Sequence, residues 1–230
     1  MEVISKTHIL KNGDVVMDVT IVKDDGSQIT KRGIFLEDYL MLFEKNSLKK
    51  EKDLVTIGSL PKGYITGSIG SPGTFNVAFF VPAKKRAVLY EKMHFYVPFP
   101  HLAMGFKIVG GAVAQSLCFA TDKLDLDGKA YRYPFGNVSE EGGICFGNIA
   151  LKKCMQIKDV EDIADAFFCS ETNNDYFDEY KVTIAVTQGK LLERLKKKEE
   201  FPLRWLSPCE HETAHMWSVK EYLSIKGFEL

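Results

Sequence analysis

The chain lacks any apolar run approaching the roughly 20 residues that a membrane-spanning helix requires. It also lacks a strong excess of charge, because 30 lysines and arginines nearly balance 31 aspartates and glutamates. That balance gives no reason to expect nucleic acid or an anionic membrane as a partner. The stretch from Met1 to Lys6 has none of the features of a signal peptide. We therefore expect a cytoplasmic protein that binds neither membranes nor nucleic acid.

A disulfide framework is not indicated either. The cysteines are odd in number and irregularly spaced, so reduced thiols in a cytoplasmic protein are the simplest interpretation. Cys118 falls in an apolar strand pattern and is expected in the core, and Cys154 and Cys169 are expected to be buried. The glycine spacing at positions 67, 70 and 73 does not match a phosphate-binding loop, and no cofactor is expected. The five cysteines are Cys118, Cys145, Cys154, Cys169 and Cys209.

The first third of the chain has the pattern of strands and turns. Asn12-Gly13 and Asp24-Asp25-Gly26 each predict a tight turn between strands. Apolar residues from Ile34 to Phe43 predict a short buried helix. We expect residues 1–55 to form a β-rich extension with one short helix, and residues 56–230 to form the main domain.

The remainder predicts an antiparallel sheet followed by helices. Closely spaced strands with no helix between them favour an antiparallel meander of about four strands. Val160 to Phe168 and Gln188 to Glu200 have helical periodicity, and Pro202 is expected to end the second helix. The predicted fold class is therefore α+β, with a meander flanked by helices. The four candidate strands are Tyr64 to Ile69, Thr74 to Val81, Ala87 to Val97 and Ala114 to Ala120.

The segment from Asp122 to Gly147 has little periodicity, and an irregular segment of this length in a compact domain is usually functional. It places Cys145 eight residues after Asn137 in a glycine-rich loop. A thiol can carry an acyl group as a thioester, and a side-chain amide can stabilise the oxyanion formed when a nucleophile attacks it. The spacing predicts Cys145 and Asn137 as a catalytic pair, although a cysteine and an asparagine at a turn can also be purely structural.

This loop resembles that of ubiquitin-conjugating enzymes, in which the catalytic cysteine follows the asparagine of a His-Pro-Asn tripeptide by eight residues. It is more similar to a bacterial branch of that fold, prokaryotic family D, also called the PRTRC system protein B family. The motifs on which this resemblance rests are Pro134-Phe135-Gly136-Asn137-Val138 and Cys145-Phe146-Gly147-Asn148. The segments 81–86 and 97–100 are also similar to that family.

The resemblance implies a ubiquitin-conjugating-enzyme-like fold that transfers a ubiquitin-like modifier through a thioester on Cys145. It implies, as partners, a ThiF-type activating enzyme, the modifier itself and a JAB-type peptidase. Phe135 and Gly136 stand where the eukaryotic tripeptide has histidine and proline, which is a departure from that pattern. A protein of the same fold that binds the activating enzyme or the modifier without catalysis is the alternative.

A second alternative is a zinc hydrolase, because residues 211–215 match the H-E-x-x-H pattern. In that pattern two histidines one helical turn apart bind zinc and the glutamate activates water. The ligands here would be His211 and His215, with Glu212 activating the water, and Trp217 after them is compatible with a helix. The extended form of the motif is absent, which weakens this hypothesis. A cysteine hydrolase that pairs Cys145 with His94, His101 or His211 has no supporting sequence context.

Overall fold

The computed structural model describes residues 2–9, 15–35, 59–71, 73–178, 180–210 and 216–230. The N-terminal residues form a three-stranded antiparallel sheet of β1 (Glu2–Ile9), β2 (Val15–Val22) and β3 (Gln28–Phe35). Gly26, with a φ of 78°, lies in the turn between β2 and β3, as the sequence predicts. The turn predicted at Asn12-Gly13 lies outside the described residues.

The helix predicted from Ile34 to Phe43 is wrong at its start. Ile34 and Phe35 end β3, where they pair with Met17 and Val16 of β2. The cross-strand pairing overrides the local helical pattern at these two residues. The rest of that prediction lies outside the described residues, as does the boundary expected near residue 55.

A five-stranded antiparallel sheet forms the centre of the protein, and a second three-stranded sheet lies beside it. The larger sheet has the strand order β10-β9-β8-β5-β4, and the smaller one has the order β11-β6-β7. The strands are β4 (Tyr64–Ile69), β5 (Phe75–Val81), β6 (Lys84–Tyr90), β7 (Met93–Phe99), β8 (His101–Val109), β9 (Ala112–Thr121), β10 (Ala130–Tyr131) and β11 (Glu171–Thr172).

This arrangement corrects the prediction of a four-strand meander. The run from Ala87 to Val97 is not one strand, because Glu91 and Lys92 adopt φ values of 47° and 64° and turn the chain into the β6–β7 hairpin. The central strand β8 was not predicted, since the prolines around Phe99 suggested a break. Pro98 is tolerated because β7 lies at the edge of its sheet, where a missing N–H costs no ladder hydrogen bond.

The described residues include three α-helices: α1 (Val160–Cys169), α2 (Gln188–Leu195) and α3 (Val219–Ile225). The helix predicted from Val160 is confirmed, and Ile163 and Phe167 are among its buried residues. The second predicted helix ends at Leu195 and not at Glu200. A helix through Trp217 is not present, since α3 begins at Val219 after a capping box formed by Ser218. None of the described helices is both long enough and apolar enough to cross a bilayer.

The core occupies both faces of the larger sheet. On one face the buried side chains of α1 and α2 belong to the same apolar cluster as Phe79 and Phe106, whose rings stack at 6.1 Å. On the other face α3 packs against Phe119, whose ring meets that of Tyr222 at 4.9 Å. Strand alternation supplies apolar side chains to both faces, so the sheet is enclosed. These features confirm the α+β fold class, with antiparallel sheets flanked by helices.

Candidate functional site: the cysteine loop

The loop from Asn137 to Cys145 is a closed turn whose two ends are hydrogen-bonded. The Cys145 N–H donates to the Asn137 carbonyl at 2.8 Å, and Val138 pairs with Ile144 as an antiparallel bridge. Inside the turn, Ser139 N–H donates to the Gly143 carbonyl at 2.8 Å. The position of the Cys145 backbone is therefore fixed by the loop's own hydrogen bonds.

Strand β9 supports this loop from one side. The Cys118 N–H donates to the Gly142 carbonyl at 2.8 Å, and the Ser116 hydroxyl lies 3.3 Å from the Ile144 nitrogen. Gly142 has a φ of +87°, and a Cβ there would lie 2.6 Å from Leu117 Cδ1. Gly142 is therefore buried against β9, in a backbone conformation that favours glycine. A Cβ on Gly147 would meet nothing within 4 Å, so the space beside that residue is open.

A buried lysine, Lys181, hydrogen-bonds the first residues of the loop. Lys181 is 1% exposed, and its Nζ donates to the Val138 carbonyl and, at 3.2 Å, to the Ser139 carbonyl. Burial lowers the pKa of Lys181 to about 8, against an opposing effect of the Asp178 carboxylate. Both acceptors belong to the first residues of the turn, so the ammonium group fixes the start of the loop.

Two ion pairs connect the tip of the loop to the scaffold. Glu140 pairs with Arg132 at 2.6 Å, and Glu141 pairs with Lys226 at 3.5 Å. Both glutamates are exposed, so these pairs contribute at most a fraction of the stability that the buried contacts provide. They restrict the tip of the loop to one side of the protein.

Asn137 is a buried residue in the left-handed region, with a φ of +64°. Its Nδ2 donates to the Glu171 carbonyl at 2.9 Å, and its Oδ1 accepts from the Asn173 N–H at 3.2 Å. Its own N–H donates to the Asp175 carbonyl at 2.9 Å. The side-chain amide thus joins the cysteine loop to the segment 171–175, which follows α1.

Gln188, the first residue of α2, holds the same segment from the other side. It is fully buried; its Oε1 accepts from the Gly136 N–H, and its Nε2 donates to the Asn173 carbonyl at 2.7 Å. A Cβ on Gly136 would collide with the Asn173 carbonyl oxygen. Glycine is therefore required in this position, where the eukaryotic tripeptide has proline.

Phe135 occupies the histidine position of that tripeptide and is 1% exposed. Its ring lies 4.6 Å from the ring of Phe99 and 5.6 Å from that of Tyr133, with Phe201 at 6.2 Å. The residue is an anchor in an aromatic cluster. The ring fixes the start of the cysteine loop to the core, so the phenylalanine is explained by packing.

The described cysteines differ sharply in exposure. Cys145 is a half-buried free thiol, whereas burial raises the pKa of Cys154 to about 12 and that of Cys209 to about 11. The prediction that Cys118 lies in the core is confirmed, and burial raises its pKa further still. Cys169 is exposed, so the expectation that it is buried was wrong. A thiol with a raised pKa is a poor nucleophile.

Sequence reasoning missed Lys181, Gln188 and the acceptor segment 171–175. Gln188 had a usable signal, because it begins a helix capped by Thr187 and yet falls on the buried side with Leu191. Lys181 had none: a lone lysine in an irregular stretch is normally exposed. Two aspartates that precede the loop accept hydrogen bonds within local turns: Asp122 from the Lys129 N–H at 2.8 Å, and Asp125 from the Asp127 N–H at 2.9 Å.

The residues of the proposed zinc site, His211, Glu212 and His215, lie outside the described part of the chain. The flanking residues Glu210 and Met216 pair as an antiparallel bridge. Within the described ranges, no three histidine, cysteine, aspartate or glutamate side chains come together as a metal site requires.

Comparison with known proteins identifies a family. The sequence model of prokaryotic E2 family D matches residues 42–209, a span that includes both Asn137 and Cys145. No curated protein and no solved structure matches the chain.

Proposed function

The chain belongs to prokaryotic E2 family D, and we propose that it carries a ubiquitin-like modifier as a thioester on Cys145. An E2-like role follows from the family; the chemistry at this cysteine is our proposal. The observation that carries it is the hydrogen bond between the Cys145 N–H and the Asn137 carbonyl, which fixes a half-buried thiol at the end of a braced loop. Preorganised positioning of a nucleophile is a large part of catalysis.

The reaction has two acyl transfers. In the first, the Cys145 thiolate attacks the thioester that joins the modifier's C-terminal carbonyl to an activating enzyme, and the activating enzyme leaves as a thiolate. In the second, an acceptor amine attacks the Cys145 thioester, the C–S bond breaks, and an amide forms with loss of a proton from the amine. Each step passes through a tetrahedral oxyanion.

Asn137 acts, in this proposal, by holding the loop. Its Nδ2 already donates to the Glu171 carbonyl, and its Oδ1 already accepts from Asn173. A direct role at the oxyanion requires its second Nδ2 hydrogen or a released side chain. The ThiF-type activating enzyme, the ubiquitin-like modifier and the JAB-type peptidase implied by the resemblance are the partners we propose.

Thioester formation tests the proposal directly. The protein is incubated with a modifier activated as a thioester of a small thiol, and adducts are measured by mass spectrometry without reductant. We expect one adduct that dithiothreitol removes, lost in Cys145→Ser and retained in Cys169→Ser, which removes the other accessible thiol. Modifier binding with no adduct would identify a non-catalytic adaptor. Stoichiometric zinc that His211→Ala abolishes would identify the zinc hydrolase.

Discharge to free lysine separates the two roles of Asn137. Asn137→Asp keeps the Oδ1 acceptor and loses the donor to the Glu171 carbonyl. Loss of an oxyanion donor alone would slow discharge by about 10²–10³ and leave the stability to urea unchanged. Holding of the loop predicts that loading and discharge fall together, and that the variant is less stable to urea.

A further inference from the structure

A groove of about 640 Å³ opens beside the segment that braces the cysteine loop. Its walls are the turn of the β6–β7 hairpin, the start of α2 and residues from Asn174 to Asp178. The volume lies within the range of about 300–1,000 Å³ that is typical of ligand sites. The function proposed above does not use this groove.

The groove has an apolar lining with an acidic rim. Met93, which is 50% exposed, contributes to the lining together with the half-buried side chains of Phe177 and Val186. Three carboxylates, Glu91, Asp178 and Glu193, surround these side chains, against one ammonium group, that of Lys190. An apolar surface rimmed by charge of one sign is typical of a surface that binds a partner.

The carboxylates have few internal partners. No ion pair between described residues involves Glu193, and none involves Glu91 or Asp178. The Tyr90 hydroxyl donates to Asn174 Oδ1 at 3.0 Å, and Asp178 Oδ1 accepts from the Tyr180 N–H at 2.9 Å. Glu91 and Glu193 therefore lie in no ion pair between described residues, whereas the Asp178 carboxylate interacts electrostatically with the buried Lys181 ammonium group.

The start of α2 adds a partial positive charge to the same groove, which opposes the negative charge of the carboxylates. The Thr187 side chain accepts from the Lys190 N–H and so satisfies one of the free donors at this helix end. Three carboxylates outweigh the partial charge of a short helix and one lysine. The summed charge favours a cationic occupant.

We propose that this groove docks a segment of the acceptor protein in which lysine or arginine side chains flank apolar ones. The apolar side chains contact Met93, Phe177 and Val186, and the basic side chains pair with the carboxylates of the rim. This inference rests on the proposed function, because it names the class of protein that receives the modifier from Cys145.

Two hydrogen bonds in series connect the groove to the cysteine. Asp175, between the groove residues Asn174 and Asp178, accepts from the Asn137 N–H at 2.9 Å. The Asn137 carbonyl accepts from the Cys145 N–H at 2.8 Å. A segment docked in the groove is therefore close to the loop that presents the thiol, and its neighbouring lysines have a raised local concentration there.

Two short fluorescent peptides of equal length test the proposal by anisotropy at low ionic strength. In one, lysines flank a leucine–valine pair; in the other, glutamates replace the lysines. We expect the lysine peptide to bind about ten-fold more tightly, with a difference that shrinks as salt is added. Glu193→Lys and Met93→Ala should each weaken its binding about three-fold. Glu200→Lys, an exposed charge reversal outside the groove lining, is the matched control.

Several results would overturn the docking site. These are equal binding of both peptides, a loss in Glu200→Lys equal to that in Glu193→Lys, and a dimer that Glu193→Lys dissociates, which would make a second copy of the chain the occupant. The binding is measured on the Cys145→Ser protein, so it needs no thioester. Peptide binding without a thioester in the wild type contradicts the proposed function alone, and a thioester without peptide binding contradicts the groove alone.

Discussion

The side chains of Asn137 and Gln188 hydrogen-bond the N–H and the carbonyl of one residue, Asn173. The Asn173 N–H donates to Asn137 Oδ1 at 3.2 Å, and the Asn173 carbonyl accepts from Gln188 Nε2 at 2.7 Å. Gln188 also accepts from the N–H of Gly136, the neighbour of Asn137. Two side-chain amides from distant parts of the sequence therefore lock one backbone segment against the cysteine loop.

Removal of the Gln188 amide should weaken this lock. Gln188→Ala leaves the Gly136 N–H and the Asn173 carbonyl without their partners, and each unsatisfied group costs about 1–3 kcal/mol. We expect a loss of about 2–4 kcal/mol in the free energy of unfolding, measured by urea denaturation. Faster hydrogen exchange at Gly136 should accompany it.

Lys190→Ala is the control for this experiment, because Lys190 is an exposed residue of the same helix. It should change the free energy of unfolding by less than about 0.5 kcal/mol and leave hydrogen exchange at Gly136 as in the wild type. A Gln188→Ala protein as stable as this control would show that water replaces the amide, and that the lock is not made by Gln188.

Gly142 and Gly147 make a matched pair on either side of Cys145. Both have positive φ, but a Cβ on Gly142 would collide with Leu117, whereas one on Gly147 would meet nothing within 4 Å. Gly142→Ala should therefore cost about 2–3 kcal/mol, the backbone cost plus overpacking. Gly147→Ala should cost only about 1 kcal/mol, from the backbone alone.

Thermal denaturation of the two variants, together with the rate of Cys145 alkylation by iodoacetamide, checks this prediction. Gly142→Ala should alter the alkylation rate because it moves the loop off β9. Equal destabilisation by both substitutions would mean that the Leu117 side chain moves aside freely, and that β9 does not fix the loop.

The sequence predicted the elements whose signals are local. The strands at Tyr64 to Ile69 and Phe75 to Val81, and the helix from Val160, follow from alternation or helical spacing of their own residues. Strand β8 was missed because Pro98 and Pro100 suggested an interruption, and only the edge position of β7 makes such prolines compatible with a sheet. Whether a strand lies at the edge or in the centre of a sheet is decided only when the sheet has assembled, so the sequence of the strand alone does not show it.

The site was predictable to the same extent. The spacing of Asn137 and Cys145 indicated the loop, and the structure joins these residues by a hydrogen bond. The burial of Gln188 beside Leu191 was a usable signal, but its partner was not predictable, and Lys181 had no signal at all. Each residue acts on backbone groups more than 40 residues away along the chain. A buried polar residue is explained by its partner, and the partner is known only once the chain is folded.

Phe135→His would restore the histidine of the eukaryotic tripeptide, and we expect it to destabilise this protein. The imidazole would replace a phenyl ring in contact with Phe99, Tyr133 and Phe201, and its polar nitrogens would lack partners there. The expected loss is about 3 kcal/mol at neutral pH. Phe135→Leu, which stays apolar, should cost about 1–2 kcal/mol.

The loss in Phe135→His should also grow in acid. A buried neutral imidazole has a lowered pKa, so below about pH 6.5 the unfolded state takes up a proton that the folded state does not. Urea denaturation at several pH values between neutral and mildly acidic would show it. A variant with wild-type stability would mean that this position accepts the histidine and that packing does not select phenylalanine.

Lys181 provides a pH-dependent prediction with a defined sign. Burial lowers its pKa from 10.5 to about 8, so between pH 8 and 10.5 the unfolded state holds a proton that the folded state has released. Stability therefore rises with pH in this window, by up to about 1.4 kcal/mol per pH unit. Lys181→Met removes this proton and should remove the slope.

The measurement is the difference in unfolding free energy between wild type and Lys181→Met at about pH 7, 8, 9 and 10. The subtraction cancels other groups that titrate in this range. The free energy of unfolding of the wild type should rise relative to that of the variant above pH 8. The reason is that the buried amine becomes neutral in the folded state while it still donates to the Val138 and Ser139 carbonyls. Lys190→Met, an exposed substitution, should give no such gain. A flat difference for Lys181→Met would show that its ammonium group is hydrated, and that it does not support the cysteine loop from within the core.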